Sequence, residues 1–347
     1  MNKKALRADI LLLLTAAIWG FGFVAQRSGM EFIGPFAFNG IRFILGSLFL
    51  LPLILFRRSN LNSQQVSKKL SKRLLSSSII TGSLLFVAVM FQQFGIMFTS
   101  AGNAGFITSL YVVFTPIFGI FLGRKTGLPT WIGSILTLTG LYFLSFAGGS
   151  GSVNPGDILV LISAFFWTAH VLLIDRLMNR ADSQHGLQRL QPQRESLDPV
   201  ELSCGQFIIC GILSLIGSFA AEPYVASAAE RIDPSLLETG LFAWKPFIDL
   251  ITALNDGSVL LSVEAAIPIL YGGIGSVGIA YTLQVVAQRD APPAHATIIL
   301  CFEGCFAALG GALLLAEKTG LWTLAGFILM LAGMLATQWD VIANKSR

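Results

Sequence analysis

Ten apolar stretches follow one another along this 347-residue chain, at 9–28, 36–56, 75–98, 103–123, 129–147, 157–178, 200–221, 264–288, 294–316 and 321–341. A helix needs roughly 20 such residues to cross the hydrocarbon of a bilayer. The apolar residues run on continuously instead of alternating, which is not the pattern of an outer-membrane barrel strand. With 54% hydrophobic and 12% charged residues, the chain cannot clothe a water-soluble surface, so lipid must be its solvent. The expected fold is an all-α membrane protein of ten transmembrane helices. Lys3, Lys4 and Arg7 precede the first run as in a signal peptide, but that run is full length and nine follow, so it is expected to be retained.

The charges orient the spans. With the N-terminus in the cytoplasm, eighteen of the 23 basic residues fall inside. Arg27, Arg231, Lys245 and Lys318 fall outside, and Arg42 lies within a helix. The positive-inside rule therefore predicts both termini cytoplasmic in a multi-pass protein of a bacterial-type cytoplasmic membrane. The net charge of +4 is spread over short loops and forms no patch for nucleic acid. Cys204, Cys210, Cys301 and Cys305 lie in apolar runs and read as small packing residues, with no partner at metal-ligand spacing. No cofactor, metal site or catalytic pair is expected, and the chain does not read as an enzyme. A homodimer is compatible with the sequence.

Two connections are long. The cytoplasmic one, about 179–199, is polar and reads as a linker between halves. The external one, about 222–263, is acidic, and Phe247, Leu250, Ile251 and Leu254 beside Trp244 are spaced as in a helix lying on the membrane; an irregular insertion is the other reading.

The chain also repeats itself. Asp9-Ile-Leu-Leu-Leu-Leu-Thr-Ala-Ala-Ile-Trp19 lies over Asp157-Ile-Leu-Val-Leu-Ile-Ser-Ala-Phe-Phe-Trp167 without a gap. Lys125-Thr-Gly-Leu128 recurs as Lys318-Thr-Gly-Leu321, with Gly133 and Gly140 in register with Gly326 and Gly333. The repeat unit is five helices, 1–147 and 148–347. Because five is odd, the second copy enters the membrane from the opposite side, which predicts two inverted repeats around a site near the midplane.

Trp19-Gly20 in helix 1, Arg42-Phe43 in helix 2, Pro116 in helix 4, Phe302-Glu303-Gly304 and Leu315-Ala-Glu317 in helix 9, and the glycines of helices 5 and 10 together resemble the drug/metabolite transporter superfamily, in its two-repeat EamA-type branch. The resemblance covers nearly the whole chain. It implies a secondary transporter of small organic molecules, working by alternating access and exporting more readily than importing. The family's range takes in amino acids, nucleotide sugars, other metabolites and drugs.

Ionisable side chains at membrane depth are costly, so each is a functional candidate. Glu303, mid-way along helix 9, reads as a proton-coupling or substrate-amine site, or else as a protonated carboxyl bonded between helices. Arg42, about two turns from the outer end of helix 2, is a fixed cation for carboxylate or phosphate held near Asn39, or a side chain that snorkels to the headgroups. The matching position in the second repeat is Gln206. His170 in helix 6 could carry a proton, hydrogen-bond a substrate, or bond a neighbouring helix, while His295, at a helix end, is expected to be solvated. Trp19 and Trp167, equivalent in the two repeats, would wall an organic substrate, and Gln92, Tyr111, Tyr281 and Gln284 would add hydrogen bonds or tie helices together. The glycine run Gly272, Gly273, Gly275 and Gly278 predicts tight packing or a hinge in helix 8. Two further readings stay open: an exchanger or importer of an anionic metabolite gripped at Arg42, and a membrane receptor or scaffold using the external insertion.

Overall fold

A computed structural model describes residues 3–30, 33–59, 72–123, 126–145, 155–178, 197–220, 263–315 and 320–343. Both long connections, including the proposed surface helix at 242–254, lie outside the described residues apart from the linker's last three positions and Val263. Within the described residues the chain is helical: α1 (Lys3–Gly29), α2 (Pro35–Ser59), α3 (Lys72–Phe98), α4 (Ala101–Thr108), α5 (Tyr111–Phe121), α6 (Leu128–Ser145), α7 (Pro155–Met178), α8 (Pro199–Ala220), α9 (Val263–Leu270), a π-helical segment (Tyr271–Tyr281), α10 (Thr282–Ala287), α11 (Pro293–Leu300), α12 (Phe302–Leu314) and α13 (Leu321–Ala343). Eight helical stretches among the described residues are long and apolar enough to cross a membrane. Their outward faces carry exposed leucine, isoleucine and phenylalanine, such as Ile10, Leu55, Phe56, Ile80 and Ile216, as lipid-facing surfaces do.

Three runs that read as continuous helices are interrupted. The fourth breaks between α4 and α5, where Ser109 and Leu110 form a turn, and the ninth breaks at Cys301, between α11 and α12. The eighth widens into eleven residues of π-helix, a rare conformation frequent at functional sites. The glycine run lies in this segment, and its carbonyls face α1: Trp19 Nε1 donates to Ser276 O (3.3 Å), and Thr15 Oγ1, which bonds Leu11 O at 2.8 Å, reaches Ala280 O at 3.3 Å as the weaker arm. Hydropathy does not register such interruptions, because a break changes hydrogen bonding and leaves composition untouched.

The elements pack in exchanged pairs. α1 packs on the eighth run and α7 on α3; α1 packs on α11 and α12, and α7 on α4 and α5; α2 packs on the π-segment, and α3 on α8. α2 pairs with α8, and α6 with α13. The last pair meets through small residues. A Cβ on Gly140 would lie 2.6 Å from Gly326 O, and one on Gly333 would lie 2.7 Å from Gly133 O. These are the four glycines aligned by sequence, now crossed over; only glycine lets two helices come backbone to backbone.

The two aspartates that open the repeat motif are both held. Asp157 Oδ1 accepts from Thr99 Oγ1 at 2.7 Å, and Asp9 Oδ1 lies 2.8 Å from His295 Nε2. His295 is thus not a solvated residue: its side chain is only 11% exposed, because α11 packs against the start of α1. The four cysteines are buried and free, as expected of packing residues.

Candidate functional site

Where α1, α7 and the π-segment converge, Trp19, Trp167 and Tyr281 form a triangle of rings. The centroids are 6.3 Å apart for the two tryptophans, 4.6 Å for Trp19 and Tyr281, and 5.8 Å for Trp167 and Tyr281. The two tryptophans, far apart in sequence but equivalent in the repeat, therefore meet at the centre of the bundle. They help wall a narrow cavity of about 30 Å³, room for one or two waters in this conformation. Every residue lining it is buried except Trp19, which is partly so.

Arg42 reaches this cavity from α2. It is 1% exposed, so it does not snorkel to the headgroups. Its guanidinium lies over the rings of Phe38 (5.5 Å) and Phe43 (5.1 Å), which supply cation–π attraction but no counter-charge. Among the described residues no carboxylate pairs with it, and Nε has no hydrogen-bond partner.

Glu303, 3% exposed, enters the same cavity from the first turn of α12. Tyr111, the first residue of α5, is its electrostatic neighbour, yet neither the Tyr111 hydroxyl nor Glu303 Oε1 makes a hydrogen bond of good geometry. The breaks in the fourth and ninth runs thus bring a phenol and a carboxyl together. Gly20 sets the approach of α1 to this turn: a Cβ there would lie 2.7 Å from Glu303 O and 2.3 Å from Phe306 Cβ.

Amide groups complete the lining. Gln92 Nε2 donates to Thr108 Oγ1 (3.1 Å), whereas both amide atoms of Gln284 and Oε1 of Gln26 are without partners. Buried polar atoms are nearly always bonded. Several are left open around this cavity, the Tyr111 hydroxyl and Trp167 Nε1 among them.

Eight of the residues singled out by sequence therefore line one cavity: Trp19, Arg42, Gln92, Tyr111, Trp167, Tyr281, Gln284 and Glu303. Three do not. His170 Nε2 lies 3.0 Å from Gln206 Oε1, tying α7 to α8, and Asn39 Nδ2 points at Met90 Sδ (3.2 Å).

Phe23, Gln26, Thr108, Val171, Ser276 and Leu300 also line the cavity and were not anticipated. Some had a legible signal: Phe23 and Gln26 lie four and seven residues after Trp19 and Val171 four after Trp167, on one helical face, whereas Leu300 and Thr108 precede Glu303 and Tyr111 by three residues across the breaks at Cys301 and Ser109–Leu110. Ser276 is five residues before Tyr281, a spacing that shares a face only in a π-helix. Among the described residues no group of acidic, histidine and cysteine side chains could hold a metal ion.

The fold and site define a multi-pass membrane protein built around a buried, polar-and-aromatic cavity. The EamA-like transporter family model matches residues 6–146 and 189–338, and the chain belongs to that family. An uncharacterized transporter of Archaeoglobus fulgidus is 35% identical over 49% of this chain and 50% of its own length, so this chain spans about half of that relative. The uncharacterized inner membrane transporter YedA of Escherichia coli is 25% identical over 71% of this chain and 81% of its own. The uncharacterized transporter YoaV of Bacillus subtilis is 20% identical over 96% and 97%. A crystal structure of a protein with 15% identity aligns over 98% of both chains with a TM-score of 0.67, a likeness of fold.

Proposed function

We propose that this protein is a secondary active transporter that exports small organic metabolites across the cytoplasmic membrane by alternating access, with proton coupling at Glu303. One observation carries the reading: Arg42 and Glu303, a cation and a carboxyl, enter one buried cavity from different helices without pairing with each other. Buried charges cost several kcal/mol unless compensated, so a bundle that keeps both open has a use for them. Arg42 would grip a carboxylate or phosphate, Glu303 a proton or an amine, and Trp19 and Trp167 the apolar body.

Ten spans in two inverted five-helix repeats, both termini cytoplasmic, provide the machinery. The exchanged helix pairings and the crossed glycines of α6 and α13 support that architecture. Two near-equal halves would interconvert inward-open and outward-open states around the midplane. Export follows from likeness to the family.

A second reading, exchange of an anionic metabolite, is favoured by the unpaired Arg42. The test is reconstitution in liposomes with a panel of labelled metabolites, with and without a pH gradient. Transport of at least one solute against its own gradient, driven by the proton gradient and lost in Arg42→Gln or Glu303→Gln, is expected. Counterflow of anions indifferent to the gradient would favour the exchanger, and no movement of any solute would reject both.

A further inference from the structure

Between the central cavity and the face where α1 begins lies a small apolar cluster apart from the main core. Leu197 and Leu202 supply it from the start of α8, Ile174 and Met178 from the end of α7, and Val285 from α10; all five are buried. Val171 and Gln284 line the cavity, and the cluster begins one turn beyond Val171, at Ile174, and directly after Gln284, at Val285. It therefore stands between the cavity and the water on that side.

Four charges fasten this cluster to α2. Asp198 and Glu201 lie between the two leucines in the chain and face Arg57 and Arg58 in the last turn of α2. Arg58 Nε donates to Glu201 Oε1 at 3.1 Å, and Arg57 Nη1 lies 3.6 Å from Asp198 Oδ2. Asp198 Oδ1 also accepts from the backbone N–H groups of Val200 (2.9 Å) and Glu201 (3.1 Å), so the side chain that caps α8 also ties it to α2. One turn deeper, the buried thiol of Cys204 donates to Ser47 O at 3.7 Å across the same helix pair.

The opposite face repeats the arrangement. The alignment that places Arg42 over Gln206 also places Ile33 over Leu197 and Phe38 over Leu202. Ile33 and Phe38, with Ala37 and Ile269, form a second small buried cluster at the start of α2. Equivalent residues thus close the bundle at both ends, with the narrow cavity between them.

We propose that the start of α8 is the gate between the central cavity and the cytoplasm, plugged by Leu197 and Leu202 and latched to α2 by Arg57–Asp198 and Arg58–Glu201. The start of α2 is its counterpart at the other face. The inference rests on the alternating-access reading and on a cytoplasmic N-terminus. Partly exposed ion pairs suit a gate, because they hold weakly and water replaces each partner when they part; the apolar plug excludes water while they hold.

Cys204 reports the opening. The full-length protein in inside-out vesicles is treated with a membrane-impermeant maleimide, and each modified cysteine is identified by peptide mass spectrometry. In the parent, Cys204 should react slowly, and in right-side-out vesicles not at all. Cys210, nearly two turns deeper in α8, controls for general loosening. Arg57→Gln with Arg58→Gln, and separately Asp198→Asn with Glu201→Gln, should each speed Cys204 labelling about threefold to tenfold and leave Cys210 unreactive. The two variants alter the local charge in opposite senses, so acceleration in both reports exposure and not thiol reactivity. Arg58→Glu with Glu201→Arg should return the rate toward the parent's. Added salt should speed labelling of the parent, by screening the pairs, and not of the neutralised variants, which tests the latch even if a variant does not fold. Equal Cys204 rates in parent and variants, no response to salt, reaction from the external side, or Cys210 accelerating together with Cys204 would overturn the gate. No solute need move for any of these readings, so a silent metabolite panel would reject the transport reading without deciding the labelling.

Discussion

Ser109 and Cys301 clasp each other across the two broken helices. Cys301 Sγ donates to Ser109 O at 3.2 Å, and Ser109 Oγ reaches Cys301 O at 3.4 Å while holding a shorter bond to Gly105 O at 2.7 Å. A hydroxyl has one proton, so the longer contact is the weaker arm of a three-centre bond. The clasp fixes the turns that present Tyr111 and Glu303 to the cavity.

Interhelical hydrogen bonds in membranes are worth about 0.6 kcal/mol on average, so Ser109→Ala with Cys301→Ala should cost about 1 kcal/mol. Reversible unfolding in bicelles reads this directly. An undiminished unfolding free energy would mean that the turns are held by packing alone.

Gly20 and Gly22 make a paired steric test. A methyl group at Gly20 meets the main chain of Glu303 at 2.7 Å, whereas one at Gly22 meets Ser276 Oγ no closer than 3.6 Å. Gly20→Ala should therefore destabilise by about 1–3 kcal/mol and push the Glu303 turn away from α1. Gly22→Ala should be close to neutral. Thermal melts of the two proteins side by side decide it, and equal melting temperatures would contradict the packing described.

Glu303→Gln preserves size and hydrogen-bonding capacity while removing titration. If Glu303 carries the coupling proton, this variant should lose transport driven by a pH gradient and keep equilibrium exchange. The measurement is initial rate against external pH in liposomes, for parent and variant. An unchanged rate and pH profile in the variant would leave Glu303 a structural hydrogen-bonding group.

Topology is checked independently of transport. A reporter fused after Arg347 should be cytoplasmic and one inserted beside Asp233 external, as the distribution of basic residues requires. Reporters on the same side would refute the inverted architecture.

The all-helical fold could be read directly from the chain, and so could most of the cavity. A span is a local property: about 20 consecutive apolar side chains sum to insertion whatever the rest of the chain does. The repeat is equally local, since Asp9 to Trp19 and Asp157 to Trp167 align without reference to folding. Polar residues such as Arg42, Gln284 and Glu303 stood out because lipid makes them expensive. What could not be read is where each helix turns its faces and where it breaks, for those depend on partners hundreds of residues away. Tertiary structure decided that His170 spends its ring on Gln206 and that His295 holds Asp9. It also decided that Trp19 and Trp167 touch at the centre, and that the fourth, eighth and ninth runs are interrupted. Hydrophobicity places a helix in the membrane but is indifferent to rotation about its axis; close backbone approach and interhelical hydrogen bonds choose that rotation, and with it the cavity.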